Sequence, residues 1–339
     1  MNIVTSSTSP IFPSTRLRRN RKSQFIRDLV QENHILVKDL VYPVFVVEGH
    51  DRVLPISTMP GQSRVSIDQL LLIAKECCEL GILAIGLFPS IETPKTPEFV
   101  HESYNPDGLM PRAIKALKSN FPELGVFTDV ALDTYSHDGH DGISDESGCV
   151  INDASNEILV KQALAHARAG ADFVCPSDMM DGRIGAIRAA LEKEGLHNTG
   201  IMAYSAKYAS SFYGPFREAV AAPTGLLGKS GKTMYQMNPA NANEALHEVA
   251  MDLAEGADII MVKPGLPYLD VLYRVKTEFK KPTAAYHISG EYAILKAASA
   301  QGYIDYDKAL MESMLAFKRA GADMIWTYAA LEVAKLINK

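Results

Sequence analysis

From about residue 40, apolar runs of strand length recur along the chain: 41–47 (VYPVFVV), 82–88 (ILAIGLF), 125–131 (GVFTDVA), 172–177 (DFVCPS), 200–206 (GIMAYSA), 258–263 (DIIMVK), 283–289 (TAAYHIS) and 323–328 (DMIWTY). Continuous apolar runs bounded by turn residues read as strands buried on both faces. Between them the hydrophobic period becomes that of a helix. Ser66 caps a run with apolar residues at Ile67, Leu70, Leu71, Ala74 and Cys77. Residues 156–169, 240–255 and 306–320 stop at Gly170, Gly256 and Gly321, the position of a helix-ending glycine. Each of these glycines is followed by Ala-Asp and then directly by a strand, the short connection of a repeating strand–helix unit. Eight strands alternating with helices predict an α/β (β/α)8 TIM barrel over residues 39–339, preceded by an extended N-terminal arm over residues 1–38. An open doubly wound sheet is the rival, and no GxGxxG follows the first strand to support it.

Polar residues finish six consecutive strands: Asp129, then Ser177 with Asp178, Lys207, Lys263, Ser289 and Tyr328. In a barrel these ends form the rim where the chemistry is done. A lone lysine at a strand end ordinarily lays its stem along apolar surface and puts its ammonium in water. Two such lysines on neighbouring strands stand roughly 5 Å apart in backbone. With ammonium groups about 6 Å apart at an effective dielectric near 20, they repel by roughly 3 kcal/mol. That is about two pKa units, so one of Lys207 and Lys263 is expected to be largely neutral near physiological pH. A neutral amine at a barrel mouth suits carbonyl attack and Schiff-base formation. Two structural lysines, each paired with a carboxylate, are the alternative.

Two connections, residues 132–155 and 208–236, are long enough to be functional. The second reads as a lid. It carries Arg217, Lys229 and Lys232, cations suited to a small carboxylate substrate, among glycines and prolines that let a flap open and close. Up to Gly142 the first offers Asp133, His137, Asp138, His140 and Asp141 without a thiol. Hard oxygen ligands favour Mg2+ or a monovalent cation over zinc, and a solvated turn is the bland alternative.

Bulk properties narrow the picture further. A 47% apolar and 22% charged chain is that of a globular protein, and no run reaches membrane-spanning length. A net charge of −6 argues against nucleic acid as a partner. Cys77, Cys78, Cys149 and Cys175 show no CxxC spacing, which predicts a reducing, cytoplasmic setting. The start of the chain is rich in Ser, Thr and Pro and then basic, with Arg16, Arg18, Arg19, Arg21 and Lys22. Nothing in it could form a core alone, so it is expected to dock on a neighbouring subunit. An organelle leader of the same composition is the alternative.

Several motifs, in order, resemble the 5-aminolevulinate dehydratase (porphobilinogen synthase) family over nearly the whole chain. They are Thr15-Arg-Leu-Arg-Arg19, Pro176-Ser-Asp-Met-Met-Asp-Gly-Arg183, Met202-Ala-Tyr-Ser-Ala-Lys-Tyr-Ala-Ser210, Phe212–Arg217, Met261-Val-Lys-Pro-Gly-Leu-Pro-Tyr-Leu-Asp270 and Ser289-Gly-Glu291. The resemblance implies condensation of two 5-aminolevulinate molecules to porphobilinogen with loss of two waters. Lys263 is then expected to hold the substrate that supplies the propionate side and Lys207 the one that supplies the acetate side, both as Schiff bases. Asp129 is the expected active-site aspartate. Ser289 and Tyr328 match one carboxylate-binding pair, Arg217 and Lys232 the other, and Gln236 the lid-base glutamine. Tyr213 and Phe216, with Ser177 and Asp178, are read as further substrate contacts.

Zinc-dependent relatives have three cysteines where this chain has Ala131, Asp133 and Asp141. This resembles the aspartate-rich branch, without catalytic zinc and responsive to Mg2+. Asp133 and Asp141 are the ligands left there, and Glu248 matches the position of an allosteric Mg2+ ligand. A homo-octamer held through the arm is implied. Another Schiff-base aldolase-type barrel and a non-catalytic scaffold are the alternatives.

Overall fold

The computed structural model describes residues 11–92, 96–221 and 231–339; residues 1–10 of the expected arm and residues 222–230 of the expected lid, Lys229 among them, lie outside the described residues. The chain divides into two compact units, Met1–His34 and Ile35–Lys339. In the first, a short 3-10 turn (Leu17–Arg21) and helix α1 (Gln24–Leu29) bury none of their residues. The strand–helix alternation starts the expected barrel at residue 39, and Ile35 already packs in the barrel core.

Ten strands form one sheet: β1 (Leu40–Val46), β2 (Val53–Pro55), β3 (Ser63–Val65), β4 (Ala84–Pro89), β5 (Gly125–Val130), β6 (Phe173–Pro176), β7 (Gly200–Lys207), β8 (Ile259–Lys263), β9 (Thr283–His287) and β10 (Met324–Thr327). The eight parallel strands β1 and β4–β10 run in sequence order and close on themselves through Leu40↔Ile325 and Val41↔Trp326. This is the expected (β/α)8 barrel. β2 and β3 form an antiparallel hairpin whose second strand pairs with the far end of β1, Phe45↔Arg64 and Val46↔Val65.

The apolar runs are buried along their length: every residue of β1, β4, β8 and β9 is buried. Helices cover the outside: α2 (Ile67–Leu80), α3 (Leu109–Asn120), α4 (Asn152–Ala169), α5 (Arg183–Lys193), α6 (Gly214–Ala219), α7 (Glu244–Ala254), α8 (Leu269–Phe279), α9 (Ser289–Ala300), α10 (Tyr306–Ala320) and α11 (Ala330–Ile337). α4 and α10 end at Gly170 and Gly321, each left-handed at φ 105° and 103° as a helix stop requires. α7 starts four residues later than the expected 240, because Asn238 and Asn241 use their side chains in a turn: Asn238 Oδ1 accepts from Ala240 N, and Asn241 donates to Glu244.

Aromatic rings fill the barrel interior. Trp326 meets Phe88, Phe127, Tyr204 and Tyr286 at centroid distances of 5.5–6.4 Å. Gly86 on β4 makes room for it, since a Cβ there would stand 2.2 Å from the indole. Large against small across facing strands is how such a barrel packs without a pore.

Candidate active site

Lys207 and Lys263 end adjacent strands as direct register partners. Regular pairing does not put them there. β7 and β8 run Ala203↔Ile260 and then Ala206↔Val262, so β7 carries one extra residue, a bulge, between those pairs. Side chains alternate faces along a strand, and a one-residue slip reverses them. The bulge therefore brings Lys207 to the height and face of Lys263 while also leaving Tyr204 turned towards it.

The two amines have unlike surroundings. Lys263, 4% exposed, sits among rings, with Nζ 4.7 Å from the centroid of Tyr286, 4.9 Å from Tyr204, 5.1 Å from Phe216 and 5.5 Å from Tyr213. Its nitrogen has no hydrogen-bond partner among the described residues. Burial, followed by the charge of Lys207, depresses its pKa to about 7. Lys207 instead donates to Asp141 Oδ2 at 2.9 Å and to the Ser177 carbonyl. Asp129 is buried with Oδ1 unpartnered, and burial, followed by the nearby Asp133, raises its carboxyl to about 7 against the opposing pull of Lys263. An amine and a carboxyl thus titrate in the same range within one cleft, which Lys207, Asp133, Ser177, Tyr213, Phe216, Arg217, Lys232 and Gln236 also line.

The loop after β5 is no solvated turn. From Ala131 to Gly142 every residue but His137 is buried. Its carboxylates face lysines: Lys232 Nζ lies 2.5 Å from Asp141 Oδ1 and 3.4 Å from Asp133 Oδ2. Burial acts to raise Asp141, but Lys207 and Lys232 hold it well below the usual carboxylate range. Gln236 adds a bond to Asp141 Oδ2 at 3.3 Å. Among the described residues no three His, Cys, Asp or Glu side chains are placed together to hold a metal ion.

Lid residues are spread over two segments. α6 carries Phe216, whose amide donates to Ser289 Oγ at 3.0 Å, and Arg217, which has no carboxylate partner among the described residues. The helix is fastened at Glu218, which accepts from Ser57 N and Oγ (3.0 and 2.7 Å) and Thr58 Oγ1 (2.5 Å) of the β2–β3 connection. Tyr213 donates to the Lys263 carbonyl at 3.3 Å. At the lid base, Met237 N donates to Lys207 O, and Tyr235 Oη accepts from Asp141 N.

The remaining expected residues are less direct. Tyr328 follows β10, accepts from Tyr286 Oη at 2.9 Å and stacks on Phe45. Asp178 does not line the cleft. It is fully buried beside Arg183 (3.6 Å), and burial, opposed by that guanidinium, raises its carboxyl to about 6. Glu248 is distant in another sense, half-buried on α7 and lining a separate cleft with Asp181, Glu244 and Gln236. The ring floor, Tyr204 and Tyr286, was not singled out from the sequence. Its signal was present in the aromatic residues at the third-to-last position of one strand run and the middle of another, but that pattern also describes any packed barrel core.

Comparison with known proteins converges on one family. The family described as Delta-aminolevulinic acid dehydratase matches residues 14–336. The delta-aminolevulinic acid dehydratase of Bradyrhizobium diazoefficiens is 49% identical, over 95% of this chain and 91% of its own length. That of Rhodobacter capsulatus is 48% identical over 97% and 98%, and the chloroplastic protein of Glycine max 49% over 97% and 80%. A crystal structure of delta-aminolevulinic acid dehydratase (porphobilinogen synthase) from Toxoplasma gondii ME49, in complex with the reaction product porphobilinogen, superposes with a TM-score of 0.91 at 52% identity, covering 95% of this chain and 91% of that one. Matched over almost its whole length, this chain belongs to the delta-aminolevulinic acid dehydratase family.

Proposed function

We propose that this chain is a porphobilinogen synthase, a hydro-lyase that condenses two 5-aminolevulinate molecules to one porphobilinogen in tetrapyrrole and haem synthesis. The observation that carries this reading is Lys263: a buried amine with no hydrogen-bond partner among the described residues, brought down to about 7 and in register with a second lysine. Its lone pair attacks the ketone of one substrate. The ketone oxygen leaves as water and an imine remains. Asp129, with a carboxyl near about 7, is matched to take and return the protons of that step. Lys207, once it has left Asp141 and given up a proton, attacks the second ketone, whose oxygen leaves as water. One carbon–carbon and one carbon–nitrogen bond then form, both ketone oxygens having left as water, and both lysines are freed.

Substrate charge is met at two places. Arg217 offers a guanidinium without a carboxylate partner among the described residues, and Lys232 must exchange Asp133 and Asp141 for a substrate carboxylate. Ser289 Oγ and Tyr328 Oη each already accept a hydrogen bond, so their own protons point onward as donors for the other carboxylate. Tyr213 and Phe216 close the ring box over Lys263.

Further parts of the reading concern assembly and ions. An arm that buries none of its own described residues suits docking on a neighbour in a homo-octamer. Mg2+ suits Glu248, because burial raises that carboxyl, partly offset by Arg183, and Asp252, Asp181 and Glu244 raise it further. Such an ion binds through one or two carboxylates and keeps its waters. Four free thiols suit a reducing cytoplasm, and among the described residues no helix is long and apolar enough to cross a membrane.

Borohydride reduction in the presence of 5-aminolevulinate tests the reading. The expected result is a substrate adduct on Lys263 by mass spectrometry, and a pyrrole product detectable with an aldehyde colour reagent. An unmodified Lys263 during turnover would sink it.

A further inference from the structure

Ser289-Gly290-Glu291 opens α9 against Phe216, whose ring lies on the reacting amine. Ser289 receives the lid amide of Phe216, and Gly290 lets the lid backbone pass, since a Cβ there would stand 2.3 Å from Phe212 O. Glu291 has no role in the chemistry above, yet it is 4% exposed and draws amides from two separate turns. Oε1 accepts from Leu266 N at 2.5 Å; Oε2 accepts from Ile288 N at 2.7 Å and from Gly265 N at 3.5 Å. The Ile288 bond is an ordinary helix cap. The other two are not, because Gly265 and Leu266 belong to the turn that follows Lys263-Pro264.

No cation pairs with Glu291 among the described residues, and burial pushes its carboxyl up to about 8 against the pull of those amides. A group so costly to bury is weak evidence of stability, and packing alone would favour an apolar side chain. The opposite side of the same turn is fixed by contact: a Cβ on Gly265 would meet the Phe317 ring at 2.3 Å. The turn is gripped between Phe317 and Glu291.

We propose that Glu291 is a positioning residue for the Schiff-base amine, clamping the turn after Lys263 to the first turn of α9 so that Nζ and Ser289 keep a fixed separation. The inference rests on Lys263 being the nucleophile. Glu291→Gln keeps the shape and one carbonyl acceptor. It is expected to lower kcat and the rate of borohydride trapping at Lys263 together, by about tenfold, with KM changed less than about twofold, as a displaced nucleophile requires. Glu332→Gln, which frees Lys296 on the same helix, is the control and leaves both rates unchanged. Trapping at the unsubstituted rate in Glu291→Gln overturns the proposal, whatever happens to its melting temperature. No adduct in the unsubstituted protein overturns the Schiff-base reading itself, and this inference with it. Should Glu291→Gln not fold, hydrogen exchange of the Gly265 and Leu266 amides in the unsubstituted protein decides. Protection equal to that of β8 upholds the clamp, and exchange as fast as in an exposed turn refutes it.

Discussion

Lys263 owes its low basicity first to burial among four rings and second to Lys207. Sequence reasoning reached the same direction with repulsion in the leading place, because neighbouring strand ends are legible while rings from β7, β9 and the lid converge only in the folded chain. The ordering has a measurable consequence. The reacting form is the unprotonated amine, so trapping at Lys263 slows as pH falls below about 7. Phe216→Ala opens the box to water and removes part of the larger cause; the acid limb is expected to move up by about one unit, or about 1.4 kcal/mol. A limb that stays in place would assign the shift to Lys207 instead. Asp129→Asn is expected to lower kcat by about 10²–10⁴, the usual worth of a positioned acid or base, and to slow borohydride trapping at Lys263 without abolishing it. Lys207→Met separates the two lysines: the Lys263 adduct still forms, and product does not.

At the scale of elements, continuous apolar runs and helix-stop glycines located all eight barrel strands within two residues of where each begins. What the pattern could not carry was the β7 bulge. Counting along Ile201–Lys207 puts the lysine on one face or the other according to an extra residue that leaves no composition signal, yet that residue makes Lys207 and Lys263 partners. For the loop after β5 the solvated-turn alternative fails for a related reason. Its aspartates are buried because Lys207 and Lys232 reach them from β7 and from the lid base. Sequence shows the charges without showing which will meet. Packing yields firmer expectations. Gly86→Ala would drive a methyl into Trp326, and overpacking of this kind costs about 1–3 kcal/mol, to be read from denaturant unfolding. For the lid helix α6, the Ser57→Ala and Thr58→Ala pair strips the two hydroxyl bonds from Glu218 and leaves the Ser57 amide bond, and faster hydrogen exchange over Gly214–Ala219 is expected with a higher KM.

Across the molecule, the proposed Mg2+ position and the reacting lysines are linked by a short run of contacts. The cleft that holds Glu248 shares Gln236 with the active-site cleft, and Gln236 bonds Asp141, the partner of both Lys207 and Lys232. A second route passes through Arg183. It is buried, pairs with Asp252 at 3.1 Å and with Asp178 at 3.6 Å, and Asp178 directly follows the Ser177 whose carbonyl holds Lys207. Contact alone is not coupling; a coupling free energy is. A dication at Glu248 would relieve the crowding of Asp181, Glu244 and Asp252, and would compete with the same Arg183 that steadies Asp178. EDTA is therefore expected to lower activity and Mg2+ to restore it, whereas a zinc-selective chelator leaves it unchanged. A coupling of about 1–3 kcal/mol corresponds to a response of roughly 5–150-fold. Glu248→Gln removes one charge from the cleft and touches neither lysine, so it should hold activity near the metal-free level and abolish the Mg2+ response together. Full activity in metal-free buffer, unchanged by Mg2+, would remove the ion from Glu248 and leave the Arg183 network as a structural link alone.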